Sequence, residues 1–203
     1  QVLKNINNDT IKLVNELLAN GKNVEVATAT NARVNQGDFI VDTKDLSPYV
    51  NKYYFETLPL GTTQNLKTNK LTKPKVAVTG SGQLNFSLRQ LGFNLGSVAD
   101  ADVVVSDSGT FNANNLKGKS YIGIGVNALN ATRNSGLLPG FTWSYTRANH
   151  EGLVKANVNE HQLTSGYQED ELFYVTTGAW INSVPEGAEV LATFSDSDDF
   201  YVA

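Results

Sequence analysis

The sequence predicts an α/β fold built around a parallel sheet. Between residues 75 and 136, short β-branched runs, helical segments and glycine turns follow one another in the order strand, helix, strand, strand, helix. This order is typical of parallel sheets. The runs lack strict apolar–polar alternation. This is typical of strands that are covered on both faces. We therefore expect Lys75–Thr79, Asp102–Val105 and Tyr121–Ile124 to be adjacent parallel strands, with their carboxyl ends on one edge.

Residues 1–73 predict an N-terminal α/β extension that ends in a connector. Apolar residues recur at helical spacing in Asp9–Asn20, with Asn8 or Asp9 as candidate N-cap and Gly21 as a natural stop. The other expected elements are strands at Val24–Thr30 and Asp38–Asp42, a helix at Leu46–Tyr54 and a connector at 62–73. We therefore divide the chain into residues 1–73 and 74–203.

The second predicted domain, residues 74–203, becomes rich in strands after Phe141. Its helices are expected at about Gln83–Leu91 and from the glycine turn at Gly125 to Gly136. Its later strands are expected at Leu153–Val158, Phe173–Thr177, Glu189–Phe194 and Phe200–Ala203.

Composition excludes several classes of protein and of site. The chain has 203 residues, 40% hydrophobic and 18% charged, with a formal net charge of −4, which indicates a folded protein without a nucleic-acid footprint. It has no cysteine, which excludes disulfides, thiolate nucleophiles and cysteine-ligated metals. No apolar run approaches the ~18 residues of a membrane-spanning helix.

Two further features of composition concern the origin of the chain. Asparagine occurs 23 times, and this, with few charges and many threonines, resembles the surface of proteins secreted by Gram-positive bacteria. The chain contains no methionine and ends on Phe-Tyr-Val-Ala within an expected strand. We therefore expect a secreted, extracellular protein of which this chain is one part.

The most specific pattern lies in residues 119–136, K-S-Y-I-G-I-G-V-N-A-L-N-A-T-R-N-S-G. A strand, a tight glycine turn and a short helix follow one another there, as in the nucleophile elbow G-x-S-x-G and its cysteine counterpart. Gly123 stands at the first glycine position, Gly125 at the nucleophile position and Asn127 at the second glycine position. Because glycine has no side chain to attack a carbonyl, we expect a degenerate elbow without a catalytic residue.

Serines at strand ends are the other candidate nucleophiles. A hydrolase would pair Ser81, Ser106 or Ser108 with a histidine base, but none of these serines lies in an elbow pattern, so polar loop residues are the alternative interpretation. The loop Gly80-Ser81-Gly82 also follows a strand and opens a helix, where amides can hold an anion. It lacks the third glycine of a dinucleotide fingerprint and the lysine of a P-loop, so a tight turn is the alternative.

The sequence offers poor ligand sets for metal ions. His150 and His161 lack the H-x-x-E and H-E-x-x-H spacings of zinc sites, so we expect no zinc and no cofactor in this chain. Asp196, Asp198 and Asp199 are clustered, but this run lacks the glycine and the distal glutamate of a calcium loop.

Aromatic residues are concentrated in two places. The segment P-Y-V-N-K-Y-Y-F holds more aromatics than one face of a short helix can bury, so we expect a docking face for another domain, with packing on its own strands as the alternative. Its aromatics are Tyr49, Tyr53, Tyr54 and Phe55. A second set suits either a sugar- or peptide-binding surface or the core: Trp143, Tyr145, Trp180 and Tyr201.

Several stretches, taken in order, resemble class I glutamine amidotransferase-like domains. They are K-V-A-V-T-G-S-G-Q-L-N-F-S-L-R-Q-L-G-F-N-L at 75–95, the elbow with glycine at the nucleophile position, H-Q-L-T-S-G-Y at 161–167 and V-P-E-G-A-E-V-L-A-T-F at 184–194. More narrowly, the chain resembles the domain that follows the catalytic domain in large secreted zinc carboxypeptidases of the carboxypeptidase A type. Residues 9–24 and 36–42 resemble the segment that joins those two domains.

The resemblance implies a flavodoxin-like sheet and a parent protein that removes carboxy-terminal residues with zinc. It transfers no site residue, because the peptidase zinc signature is absent, Gly125 replaces the amidotransferase cysteine, and His150 with Glu151 has the wrong spacing for H-x-E. We therefore expect a non-catalytic accessory domain that packs on or orients the preceding peptidase domain, or binds an extracellular ligand. The alternatives are a degenerate hydrolase using Ser81 or Ser106 with His150, and a carbohydrate- or cell-wall-binding module.

Overall fold

A computed structural model describes residues 1–61, 66–145, 152–165, 167–175 and 179–194. The chain divides into two compact units, the first made of residues 1–75 and 85–95, and the second of residues 76–84 and the residues from 96 onward. None of the helices in these described ranges has the length and apolar character needed to cross a bilayer. The boundary between residues 73 and 74 stays a prediction.

The first unit contains a five-stranded antiparallel sheet, two complete helices and residues 85–90 of a third helix, whose first residues belong to the second unit. In spatial order the strands are β4-β1-β3-β2-β5, and each neighbouring pair is antiparallel. The strands are β1 (Val2–Leu3), β2 (Val24–Ala27), β3 (Phe39–Val41), β4 (Thr57–Leu58) and β5 (Thr68–Lys70). The helices are α1 (Asn8–Ala19) and α2 (Thr43–Leu46), and a 3₁₀ turn, Ser47–Tyr49, follows α2.

Helix α1 packs its apolar side chains into the core of this unit. Asn7 is the N-cap, one residue before the predicted position, and its side chain accepts a hydrogen bond from the Thr10 amide at 2.9 Å. Leu13 and Leu17 are fully buried in a cluster with residues of the sheet such as Phe39. The predicted helix is therefore confirmed. It is stabilised by the Asn7 cap at its N-terminus and by the burial of its apolar face.

The segment from 46 to 55 differs from its prediction. The expected helix at Leu46–Tyr54 is wrong, because the chain forms only α2 and the 3₁₀ turn, which carries Pro48 in its first turn. The expected docking face is also wrong for three of its four aromatics. Tyr49 is buried, while Tyr53 and Phe55 pack against the same core; Tyr54 is 64% exposed.

Asp38 joins the turn that precedes β3 to the segment that follows β1. Its carboxylate forms an ion pair with the Lys4 ammonium group, and the side chains are 4% and 15% exposed, respectively. It also accepts hydrogen bonds from the amides of Asn5 (3.1 Å) and Asn35 (2.8 Å). A buried carboxylate requires such partners, because its charge has lost most of its hydration.

The second unit contains the predicted parallel strands. They are β6 (Val76–Thr79), β7 (Val103–Ser106) and β8 (Ser120–Gly123), paired in the order β6-β7-β8. Helix α3 (Gly82–Gln90) begins after β6, and α4 (Gly125–Ser135) begins after β8. The adjacency, the direction and the common carboxyl edge of these three strands are confirmed.

The flavodoxin-like sheet is wrong, because parallel pairing stops at three strands. The described strands after α4 form two separate antiparallel sheets. β9 (Thr142–Tyr145) pairs with β12 (Ala179–Ser183), and β10 (Gly152–Val158) lies between β11 (Asp170–Val175) and β13 (Ala192–Phe194). In the described parts of the connections between these paired strands there is no crossover helix, which parallel pairing requires. The strand predicted at Phe200–Ala203 lies outside the described residues.

We predict that Asp38→Ala lowers the free energy of unfolding by about 3 kcal/mol, because it leaves the Lys4 charge and two amides without their partner. Urea denaturation of the two proteins measures the difference. Asp42→Ala is the matched control, since its ion pair with Lys44 is mostly exposed, and a change below about 0.5 kcal/mol is expected. Equal effects of the two substitutions would contradict this role of Asp38.

Candidate functional site

The carboxyl edge of the parallel sheet is the candidate site. In open α/β sheets, ligands bind beyond the carboxyl ends of parallel strands. Here three turns meet at that edge, residues 80–82 after β6, 107–109 after β7 and 124–127 after β8. We call these residues the carboxyl edge. It includes Ser81, Ser108 and two of the predicted elbow residues, Gly125 and Asn127. The third elbow residue, Gly123, lies directly beside it.

Gly125 has the backbone conformation predicted for the elbow. β8 ends at Gly123, Ile124 is extended, and α4 begins at Gly125 with φ = 76°. That positive φ is the region which glycine enters without steric penalty. A Cβ on Gly125 would meet no atom within 4 Å, so a side chain there would project into open space. The turn thus offers the place for a nucleophile without supplying one.

Gly123 has a packing role that the elbow pattern did not predict. A Cβ built there would lie 3.0 Å from the Tyr121 ring and 3.2 Å from the Ala128 Cβ atom of α4. Glycine therefore lets the helix and the tyrosine ring approach the strand closely. Asn127 lies in the first turn of α4 and faces the turn after β7. A Cβ built on Gly109 of that turn would lie 3.9 Å from the Cβ atom of Asn127.

Ser81 is held by Asp107, a residue that the sequence did not single out. The Ser81 amide donates to the Asp107 carboxylate at 2.7 Å, and the Ser81 hydroxyl donates to its other oxygen. The Ser81 hydroxyl oxygen also accepts from the Leu84 amide at 3.2 Å, so Ser81 caps α3. The hydrogen bond from the Ser81 hydroxyl and, to a smaller extent, the one from its amide lower the pKa of the Asp107 carboxyl.

The Asp107 carboxylate occupies the position at which an anion would bind the helix. Gly80, with φ = 125°, lies directly beneath it, and a Cβ there would overlap a carboxylate oxygen. The anion that the loop Gly80-Ser81-Gly82 binds is therefore a carboxylate of the same chain. A signal for this contact existed in the sequence, since Asp107 directly follows the strand that neighbours β6.

The other serines are also engaged in turns. Ser106 is fully buried, and its hydroxyl oxygen accepts from the Ser108 amide at 3.1 Å. The Ser108 hydroxyl donates to the Thr110 carbonyl oxygen at 3.0 Å. The pairing of Ser81 or Ser106 with His150 stays a prediction, because His150 lies outside the described residues.

His161 caps a short turn. Its Nδ1 accepts from the Leu163 amide at 3.0 Å, at the start of the 3₁₀ turn Gln162–Thr164, and its Nε2 lies 3.8 Å from Glu189. Within the described ranges, no group of three or more His, Cys, Asp or Glu side chains is placed to hold a metal ion. The aspartates at 196, 198 and 199 and Glu151 lie outside those ranges.

The two tryptophans do not form one sugar-binding platform. Trp143 lies opposite Ile181 in the β9–β12 pair, and Trp180 lies opposite Ser144. Because neighbouring residues of a strand point to opposite faces, the two indoles lie on opposite sides of the ribbon. Trp143 is 6% exposed, with the Arg133 guanidinium 5.4 Å from its ring centroid. The platform hypothesis is therefore wrong for Trp143; Tyr201 lies outside the described residues.

Comparisons with protein-family models, with curated proteins and with solved structures found no match to this chain. The resemblance to glutamine amidotransferase-like domains therefore stays a prediction from the sequence. Chemically, the carboxyl edge supplies backbone amides, a carboxylate and hydroxyls that already have partners, together with an open space above Gly125.

We predict that Gly125→Ala lowers the free energy of unfolding by about 1–2 kcal/mol, because an alanine is strained at φ = 76° although it has room. Thermal and urea unfolding measure the change. Gly82→Ala is the matched control: it also has open space, its φ is not positive, and it opens α3, so no loss is expected. Equal losses at both positions would show that strain at Gly125 is not the cause.

We also predict that Asp107 stabilises the fold in a pH-dependent way. Hydrogen bonds from Ser81 hold the folded pKa of its carboxyl below the ordinary value, so its contribution is complete above the pKa of the unfolded chain and is lost as the pH falls through the lower folded pKa. The free energy of unfolding of the wild type minus that of Asp107→Asn should be constant above about pH 5 and shrink below it. Ser81→Ala should remove most of this acid dependence, and an unchanged dependence would contradict the assignment.

Proposed function

We propose that this chain is a non-catalytic accessory domain that docks on another protein domain. The observation that carries the proposal is the combination of elbow geometry and an absent side chain at Gly125. A second candidate hydroxyl, that of Ser81, donates to the Asp107 carboxylate and accepts from the amide of Leu84, so it caps a helix. These contacts favour a structural role for the edge over nucleophilic catalysis, because the carboxylate that accepts from the Ser81 hydroxyl has a lowered pKa and is therefore a weak base.

The outer face of the β10–β11 pair is the proposed docking surface. Leu153 (68% exposed), Leu172 (58%) and Tyr174 (59%) lie on this face, and Leu153 stands directly opposite Tyr174. The ion pair between Lys155 and Asp170, at 3.0 Å, borders them on the same face. We call these five residues the outer face. Contiguous exposed apolar side chains with a polar border are typical of interaction surfaces.

The partner that we propose is a peptidase domain of the same polypeptide. This part of the proposal rests on the sequence resemblance to the accessory domains of secreted zinc carboxypeptidases. In this scheme the zinc ion and the catalytic residues belong to the peptidase domain, and the present chain orients that domain or covers part of it. The protein is then extracellular, in agreement with a composition rich in asparagine and threonine and poor in charged residues.

We predict that the outer face is protected from hydrogen exchange in the full-length protein. Amides of residues 152–158 and 170–175 should exchange at least several-fold more slowly there than in the isolated chain, because docking removes them from solvent. Leu153→Glu in the full-length protein should abolish the difference. Leu163→Glu is the matched control, since Leu163 is 76% exposed in the connection between β10 and β11, is not one of the outer-face residues, and should leave the protection unchanged.

Two results would contradict the proposed function. Equal exchange in the isolated chain and the full-length protein would remove the outer face as a docking surface. Labelling of the isolated chain by a serine-reactive fluorophosphonate, lost in Ser81→Ala or Ser106→Ala, would identify a hydrolase instead, because only an activated hydroxyl reacts with that reagent.

A further inference from the structure

An apolar cavity of about 720 Å³ lies within the second unit. Its walls come from the strands β10, β11, β12 and β13, from Val184 and Val190, and from Leu129 of α4. The lining side chains include Phe173, Tyr174, Trp180, Ile181, Ala192 and Phe194. We call this space the apolar cavity. It shares Tyr174 with the outer face, whereas Leu153, Lys155, Asp170 and Leu172 are not among its described lining residues.

The described walls of the apolar cavity are unsuited to a charged ligand. No Asp, Glu, Lys, Arg or His side chain is among the described residues that line the cavity. An ionised group placed inside would lose its hydration without gaining a partner, which is strongly unfavourable. Among the described lining residues, the side chains with polar atoms are Tyr174, Trp180 and Thr193.

Several wall residues remain open to solvent. Trp180 is 42% exposed, Ile181 51% and Phe194 38%, although all three belong to the apolar lining. These side chains leave an entry path and would gain from being covered by apolar atoms. Water is a poor occupant of such a space, since it needs two to four polar partners, whereas dry apolar cavities take up apolar molecules.

We infer that the apolar cavity binds an uncharged, largely apolar small molecule with at most one or two polar atoms. Its volume falls within the range of about 300–1,000 Å³ that is usual for small-molecule sites. The aromatic rings of Phe173, Trp180 and Phe194 suit a ligand with a flat aromatic part. The inference rests on these lining residues and not on the proposed docking.

The test is titration of the chain with N-phenyl-1-naphthylamine, a neutral aromatic probe whose fluorescence rises in apolar surroundings. Saturable binding of one probe per chain is expected, with a rise in the unfolding temperature at saturating probe. Ala192→Trp places an indole inside the cavity and should weaken binding at least tenfold. Leu153→Trp is the matched control, because it adds the same ring on the outer face and should bind the probe like the wild type.

Three results would overturn the inference. The first is the absence of saturable binding by a chain whose circular dichroism and cooperative unfolding show that it is folded. The second is equal binding by the wild type, Ala192→Trp and Leu153→Trp, which would place the probe elsewhere. The third is self-association, seen by sedimentation, that competes with the probe, because a second copy of the chain would then cover the cavity. Docking measured by hydrogen exchange does not depend on any of these outcomes.

Discussion

The Asp107 carboxylate, at the end of the central strand β7, accepts two hydrogen bonds from Ser81, which follows the neighbouring strand β6. This contact fixes the start of α3, because the same serine caps that helix through the Leu84 amide. It also requires glycine at position 80, where any Cβ would overlap the carboxylate. One internal anion therefore sets the path of the turn, satisfies the helix terminus and removes the anion site that such a turn otherwise offers.

The elbow geometry at β8 has a packing explanation. Gly123 allows Tyr121 and Ala128 to approach the strand, and Gly125 supplies the positive φ with which the chain turns into α4. A catalytic elbow demands the same sharp strand-to-helix turn. The glycine pattern therefore predicts the strand-to-helix turn correctly, both in chains that carry a nucleophile there and in chains that do not. What separates the two cases is the side chain at position 125, and the sequence shows that directly.

Local patterns predicted much of the fold, and pairing partners explain most of what was missed. The β-branched runs of β6, β7 and β8 and the helical spacing of α1 are local signals, and the structure contains these elements. Strands of two or three residues, such as β1, β4 and β5, are too short to show a period. The antiparallel pairing of β9 to β13 depends on contacts between distant segments, so the sequence did not distinguish it from extension of the parallel sheet.

The candidate site shows the same division between local and distant information. The backbone at Gly125 followed from one contiguous motif, whereas the contact of Asp107 with Ser81 joins residues 26 positions apart. The separation of Trp143 from Trp180 depends on the register of β9 with β12, and one residue of slip would have placed both indoles on one face. Side chains that meet through tertiary pairing therefore depend on strand order and register, which no single contiguous motif specifies.

Strand alternation gives the β10–β11 pair two different surfaces. Leu153 and Leu172 point to the outer face, while Val154, Ala156 and Phe173 point inward. Covering one large apolar side chain completely contributes about 1.5–3 kcal/mol, so each surface can gain from an occupant. The two gains are separable, since a substitution on one face leaves the side chains of the other in place. Among the described residues, a protein domain on the outer face and a small apolar molecule in the apolar cavity share Tyr174.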